Sequence, residues 1–406
     1  MITTLDKPFF KTVCNHCLAE CTSLKRCSKC KHLRYCSERC QRDDWKLHKA
    51  ECPHLCKIPL SNQVPSLIRL CGLLVSSSDL RSTLSIDSMM KHESLDNEKI
   101  IEYYPFVLKG VMEMLKGTTK FKAADTYDIY NKLVVNLFTL EDEQLRTIGS
   151  ALIPEISKLN HSCDPNCVLS FKGRTAYITA IKEIPKATEL TISYIPLPQS
   201  FLARKNQLQT QFNFTCHCSR CDMQRTKGID DMLMRECPMC KEHSHPAIDF
   251  EKDELMCPSC GNSLTNSSKV NDLILKNIES FDSPISTRAQ QDVEIINYLV
   301  DETEKLIIEK RWEAALRTGL KATVGLMDWA QNYPSTGLFI AKLGKLYMNQ
   351  EEANSPAVYM DNINRAIQLF DVSLKCLSLS LSRNHACFME VEMMYKESQA
   401  ILRSCS

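Results

Sequence analysis

Between residues 64 and 143 the apolar positions recur every three or four residues, the spacing of one helix face. Pro65-Ser66 followed by Leu67, Ile68, Leu70, Leu73 and Leu74 starts one helix. Ile100, Ile101, Tyr104, Val107, Val111 and Leu115 form a second stripe, stopped by Gly117. Tyr127, Tyr130, Leu133, Val134 and Leu137 form a third. From 147 to 195 the helical period gives way to short β-like runs. These are Ala151-Leu152-Ile153-Pro154, Val168-Leu169-Ser170-Phe171, Ala176-Tyr177-Ile178-Thr179-Ala180 and Leu190-Thr191-Ile192-Ser193-Tyr194, punctuated by Pro165, Gly173 and Pro185. Beyond about 266 the pattern is helical to the end. Trp312, Ala314, Ala315, Leu316 and Leu320 open a run with the character of helical-hairpin repeats. Ala341, Leu343, Leu346 and Tyr347, then Ala366, Leu369, Phe370, Leu374 and Leu377, continue it. A plain helical bundle fits the same pattern.

Two stretches follow neither period and are rich in cysteine. The first reads Cys14-x₂-Cys17, Cys27-x₂-Cys30, Cys36-x₃-Cys40 and His48-x₃-Cys52. Thiolate and imidazole are the ligands zinc prefers, four to a closed tetrahedral site, so eight ligands imply two ions. A segment of 39 residues cannot build its own apolar core, and the metal must supply the folding energy. The second stretch holds Cys216-x-Cys218-x₂-Cys221, one thiolate short of a closed site, then Cys237-Pro238-Met239-Cys240 and Cys257-Pro258-Ser259-Cys260. The last two are zinc knuckles that together make a ribbon-like site, with His243 and His245 as alternative ligands.

Composition adds three limits. At 406 residues, with 44% apolar and 24% charged residues, the chain has the make-up of a soluble protein of two or three domains. Its net charge of +1 gives no whole-chain argument for nucleic acid. Residues 11–57, however, carry eleven Lys or Arg against five Asp or Glu, which favours an acidic partner or serves to keep thiols deprotonated. No finger spacing of the Cys₂His₂ type with a recognition helix is present, so DNA binding is not expected. Nineteen of the 22 cysteines precede residue 261, in metal-type spacing, and no apolar signal region leads the chain. A reducing compartment, cytoplasmic or nuclear, is expected. Apolar stretches such as residues 70–75 fall far short of the roughly 20 residues a membrane span needs.

A further constellation begins Asn160-His161-Ser162-Cys163-Asp164-Pro165-Asn166-Cys167 and continues with Glu189-Leu190-Thr191-Ile192-Ser193-Tyr194. With these residues in place, residues 14–52 resemble a MYND zinc finger, and the two later motifs resemble the C-terminal half of a SET lysine-methyltransferase domain. The order of finger, helical insert, SET half, post-SET cysteines and helical tail is similar to that of the SET-and-MYND family, over nearly the whole chain. The resemblance implies an α+β fold: small zinc-stabilised modules, a β-rich SET core with a helical insert, and an all-α, TPR-like C-terminal domain. The expected boundaries are a residual SET strand at 1–13, the finger at 14–52, the insert at 64–146, the SET half at 147–195, the post-SET zinc region at 196–262 and the helical domain at 266–406.

The resemblance also implies roles. Asn160, His161, Ser157 and Phe214 would meet S-adenosylmethionine, His161 through its backbone. Tyr194 would orient the substrate lysine amine, and Phe138, Ile156 and Phe212 would line its channel. In the finger the implied pairing is interleaved: Cys14, Cys17, Cys36 and Cys40 on one ion, Cys27, Cys30, His48 and Cys52 on the other. Sequential pairing is compatible with the spacing alone. Cys163 would supply the fourth ligand to Cys216, Cys218 and Cys221, with Cys167 as its rival, and Cys237, Cys240, Cys257 and Cys260 bring the expected zinc count to four. The remaining cysteines (Cys21, Cys56, Cys71, Cys167, Cys376, Cys387, Cys405) read as small buried hydrophobes.

The chain also departs from the family pattern. Family members carry a Gly-x-Gly turn ahead of the finger, whereas here thirteen residues precede Cys14 and the first glycine is Gly72. That half of the cofactor site is expected to be absent, with Lys7-Pro8-Phe9-Phe10-Lys11-Thr12-Val13 as one remaining strand. In Asp87-Ser88-Met89, methionine stands where the family has asparagine, and Phe212 stands where a tyrosine is common. Two functions follow. The first is an S-adenosylmethionine-dependent methyltransferase acting on histone or non-histone lysines, a chromatin regulator in the histone case. The second is an inactive scaffold that binds proline-containing peptides through its finger and protein partners through its tail.

Overall fold

In a computed structural model the described residues are 1–60, 62, 64–91, 98–117, 122–233, 235–237, 239–249, 251–252, 254–264, 292–350 and 355–405. They divide into two compact units: Met1–Asn160 with Leu169–Ile178 and Gln209–Phe214, and His161–Val168 with Thr179–Leu208 and Thr215 onward.

The first unit opens on β1 (Ile2–Leu5), whose four residues are all buried. The finger follows, built from β2 (Lys25–Arg26), β3 (Arg34–Tyr35) and the long helix α1 (Glu38–Leu55). Helices α2 (Ser66–Ser76), α3 (Ser78–Thr83), α4 (Glu98–Met114) and α5 (Ala123–Asn136) lead to strands β4 (Leu137–Glu141) and β5 (Thr147–Leu152). Strands β1, β5 and β4 form an antiparallel sheet in that order, with Leu152 opposite both Ile2 and Leu137. Gly149 makes the close pairing possible, since a Cβ there would stand 1.9 Å from the Thr4 carbonyl oxygen. One apolar core joins Leu70, Leu74, Val107, Val111, Met114 and Leu133 to the buried finger cysteines Cys14, Cys27, Cys30 and Cys52. The finger therefore shares its core with the helical insert.

Two expectations fail here. The strand lies at Ile2–Leu5, while Lys7–Phe9 is a 3₁₀ turn. Pro8 lacks the N–H a ladder needs and fixes its φ, so the chain turns instead of extending. The third helical stripe ends at Asn136, one residue before Leu137, which opens β4. There the Asn136 amide donates to the Lys132 and Met90 carbonyls at 2.7 and 2.8 Å. The β-propensity of Leu137-Phe138-Thr139 is satisfied by pairing with β5.

The later β-like runs are observed as β7 (Cys167–Lys172) and β8 (Thr175–Ala180), which form a hairpin, and as the short β9 (Thr191–Ile192), with β6 (Asn160–His161) before them. Helix α6 (Phe201–Phe212) leads to α7 (Ser219–Lys227) and then to two small ribbons: β10 (Arg235–Glu236) with β11 (His243–Ser244), and β12 (Ala247–Asp249) with β13 (Glu254–Met256). Residues 266–291 of the expected helical domain lie outside the described residues. Helices Val293–Ile308, Trp312–Ala330, Pro334–Met348, Pro356–Ser380 and Ala386–Cys405 follow, each packed on its sequence neighbour. Gly344 lets two of them approach closely, as a Cβ there would stand 2.6 Å from the Phe370 ring. The first helix of this set is tied to the post-SET region by Asn297, which donates to the Pro198 carbonyl at 2.7 Å, and by the Val293 N–H to the Met232 carbonyl at 2.8 Å.

Candidate metal centres and transfer site

Helix α1 positions half of the finger's ligands. Ser37 caps it, its hydroxyl accepting from the Cys40 N–H at 3.1 Å, which sets Cys40 in the first turn. His48 and Cys52 then fall four residues apart on one buried face. Ligand atoms of Cys14, Cys17, Cys36 and Cys40 lie within 4.8 Å of one another, and so do those of Cys27, Cys30, His48 and Cys52. The grouping is interleaved, and the second set is wholly buried.

A network supports the second set. The His48 Nδ1–H donates to Glu51 at 3.1 Å, and Arg69 of α2 donates twice to the same carboxylate, at 2.7 Å each. Burial pushes the Glu51 carboxyl up, but the Arg69 guanidinium and His48 outweigh it and hold the group at about 2. Burial likewise pushes the His48 imidazole down, yet Cys30, Glu51 and Cys27 carry it up to about 10. Glu51, three residues after His48, was legible as a helical neighbour; Arg69, on another helix, was not.

Four of the five Cys-x₂-Cys spacings, all but Cys218-x₂-Cys221 at the start of α7, share one backbone device. In each, the residue after the second cysteine is left-handed: Leu18 at φ 64°, Lys31 at 63°, Lys241 at 63° and Gly261 at 69°. Its N–H donates to the carbonyl of the first cysteine, at 3.0, 3.1, 2.9 and 2.9 Å respectively. Three of the four are not glycine and carry a cost of about 1–2 kcal/mol each. The donor sets suit a closed tetrahedral zinc site: sulfur and nitrogen only, four to each group.

In the second unit, Cys163, Cys216, Cys218 and Cys221 bring their sulfurs together, with Cys163 3.6 Å from Cys221 and 4.0 Å from Cys216. Cys167, the rival, is buried outside the cluster. Cys218 occupies the N-cap position of α7, so Cys221 falls in its first turn. Arg220 donates to the Cys163 carbonyl at 3.1 Å and fastens the two segments. Beside this cluster sits His161. Its Nδ1 accepts the Tyr194 backbone N–H at 3.0 Å, which leaves Nε2 as the donor toward the Cys163 sulfur at 3.2 Å. The His161 and Tyr194 rings lie 5.3 Å apart. The sequence pointed to the His161 backbone, not to this imidazole bridge between a metal thiolate and the tyrosine.

The ribbon gathers Cys237, Cys240, Cys257 and Cys260, with Cys240 and Cys260 exposed. The Cys240 N–H holds the Cys237 thiol at about 6 against a smaller upward push from burial. His245 is engaged elsewhere, donating to the Leu233 carbonyl at 2.7 Å; the His243 side chain lies outside the described residues. Of the other cysteines, Cys71, Cys167, Cys376 and Cys387 are buried, whereas Cys21 is half-buried and Cys56 exposed, contrary to expectation. The Cys405 side chain lies outside the description.

The remaining predicted residues fall in the first unit. Phe138 and Ile156 are half-buried against a small core of Leu5, Leu140, Ile148, Ala151 and Phe171. The Ser157 hydroxyl donates to the Ile153 carbonyl at 3.1 Å, and Asn160 is exposed. Phe212 and Phe214 are half-buried and flank Asn213, which ends α6 at φ 55°. Tyr194, in the second unit, is half-buried, and burial followed by the Glu189 charge pushes its phenol above the usual range. Among the described residues no helix is long and apolar enough to cross a membrane.

Comparison with known proteins agrees with this arrangement. Residues 14–52 match the MYND finger and residues 34–195 match the SET domain. The chain is 27% identical to N-lysine methyltransferase SMYD2 of Gallus gallus over 365 residues, covering 85% of this chain and 80% of the relative. It is 28% identical to N-lysine methyltransferase SMYD2-A of Xenopus laevis over 360 residues, 84% of this chain and 80% of the relative. It is 32% identical to histone-lysine N-methyltransferase SMYD3 of Homo sapiens over 243 residues, 57% of this chain and 56% of the relative.

Proposed function

We propose that this chain, which belongs to the SET-and-MYND family, is a zinc-containing, S-adenosylmethionine-dependent protein-lysine N-methyltransferase. The relatives named above are methyltransferases by name, and the scaffold alternative is not favoured. Residues 14–52, 64–146, 147–195, 196–262 and 266–406 are taken as finger, insert, SET half, post-SET region and helical domain, with residues 1–13 as a SET remnant. The four sulfur-rich groups are assigned four structural zinc ions. Protein lysines, of histones or other proteins, are the substrate class. Proline-containing peptides at the finger, and a cytoplasmic or nuclear location, complete the proposal.

The observation that carries it is the coupling of Tyr194 to His161 and, through His161, to Cys163. When bound, the cofactor would supply an electrophilic methyl group for a lysine amine. The protein's task is then to orient a neutral amine and exclude water. The Tyr194 phenol stays protonated because burial and Glu189 both oppose its ionisation, so it serves as a hydrogen-bonding guide for the amine. His161 restrains the Tyr194 backbone by accepting its N–H. Phe138, Ile156 and Phe212 are assigned to the channel wall, and Asn160, His161, Ser157 and Phe214 to the cofactor.

The test measures cofactor affinity by calorimetry and methyl transfer to a lysine-containing protein substrate. Tyr194→Phe should lower kcat on the order of 100-fold, the cost of misplacing a reacting group, with cofactor affinity unchanged. Asn160→Ala should weaken cofactor binding. Absence of cofactor binding at millimolar concentration would overturn the reading.

A further inference from the structure

The finger presents a cleft that the transfer chemistry does not use. Its floor is apolar: Leu33 and Leu55 are buried there, and Phe10, Leu60 and Val64 also line it. Its rim is basic, formed by Lys11, Arg26, Lys31 and Arg34, and no Asp or Glu lines it.

The arginines carry the argument. Arg26 and Arg34 stand directly opposite each other on the β2–β3 ribbon. Like charges so placed repel and weaken the pairing. Neither has a carboxylate partner among the described residues, although Arg69, which also lines the cleft, is saturated by Glu51. Nor does the metal explain them. The guanidinium that feels Asp44 and the Cys14 and Cys17 thiolates is the half-buried Arg174, reached from the β7–β8 turn. Arg26 is exposed and Arg34 half-buried, so the pair stands open to an anionic ligand beside the apolar floor.

We infer that this cleft binds an acidic peptide segment of a partner protein, its carboxylates on Arg26, Arg34 and Lys31 and one aliphatic side chain on the Leu33–Leu55–Leu60 floor. The cleft holds about 70 Å³ above its apolar floor. A nucleic-acid backbone would satisfy the charges but leave the floor empty. The inference rests on the finger alone and stands or falls independently of methyl transfer.

Fluorescence anisotropy with the zinc-loaded full chain tests it. The probes are a labelled peptide of Asp and Glu flanking one Leu, the same peptide with Ser for Leu, a proline-rich neutral peptide, and a short DNA duplex. The acidic Leu peptide should bind at least tenfold more tightly than the Ser and proline-rich peptides, and added salt should weaken it. The double variant Arg26→Glu/Arg34→Glu should lose this binding. Leu60→Ser, which leaves every charge in place, should lower it severalfold. Zinc content and circular dichroism establish that each variant is folded. Equal affinity for the Leu and Ser peptides, undiminished binding by the charge-reversed protein, or preference for the duplex would each overturn the inference.

Discussion

The finger and the ribbon at 237–260 use the same Cys-x₂-Cys turns in opposite surroundings. In the finger, Cys27, Cys30, His48 and Cys52 are all buried and belong to a core shared with α2, α4 and α5. In the ribbon, Cys240 and Cys260 are exposed, and among the described residues the regular structure around them is strands of two or three residues. Beside its exposed charges the finger holds one internal ion pair, Arg69 on Glu51, whereas the ribbon's Lys252–Asp249 contact, at 3.7 Å, is open to solvent. One metal site is thus part of a domain core; the other is a clip on the surface.

Chelation should separate them most strongly. A zinc chelator added in steps should strip the ribbon's ion first, with little change in circular dichroism. The finger's ions should leave later, and with them the helical signal of the first unit, because the cysteines that hold them are core residues. Four zinc ions per chain should be recovered in total. Release of all four in one step, with a single unfolding transition, would break the comparison.

The buried pair gives the next largest effect. Arg69→Ala leaves Glu51 charged, buried and without its guanidinium, at a cost of about 3–5 kcal/mol. Arg69→Met with Glu51→Gln removes both charges and should recover most of that loss. Lys252→Ala in the ribbon should cost less than about 0.5 kcal/mol, as exposed pairs do. Thermal or denaturant unfolding of the zinc-loaded protein measures all three, and equal losses for Arg69→Ala and Lys252→Ala would show that the finger network is not a core element.

The same contrast explains what the sequence disclosed. Ligand identity was readable because zinc demands particular atoms in close pairs, and the grouping of Cys14 with Cys36 came from family resemblance, since spacing alone also allowed sequential pairing. Helices α2 and α4 were readable because each buries one face. The strand at Ile2–Leu5 was not, since four consecutive buried residues show no alternation, and the nearby Phe9-Phe10 drew attention to a segment that Pro8 had already turned. Arg69 and the His161 imidazole were missed for a common reason. Glu51 and Tyr194, the partners that define them, come from elsewhere in the chain, and no local period records those contacts.

The smallest effect concerns the left-handed residue that closes each knuckle. Lys31 in the finger and Lys241 in the ribbon adopt the same φ of 63°, and Gly261 fills the equivalent place at 69° without a Cβ to crowd the backbone. Lys31→Gly and Lys241→Gly should each relieve about 1 kcal/mol of strain, partly offset by the greater freedom of glycine in the unfolded chain. In the ribbon, where the turn has little besides the metal to hold it, that relief should appear as slower zinc loss to a competing chelator. In the finger, where the core already fixes the turn, it should appear in unfolding free energy and leave the zinc release rate unchanged. A matching change in release rate at both sites would mean that the turn, and not the surrounding core, governs how tightly each ion is kept.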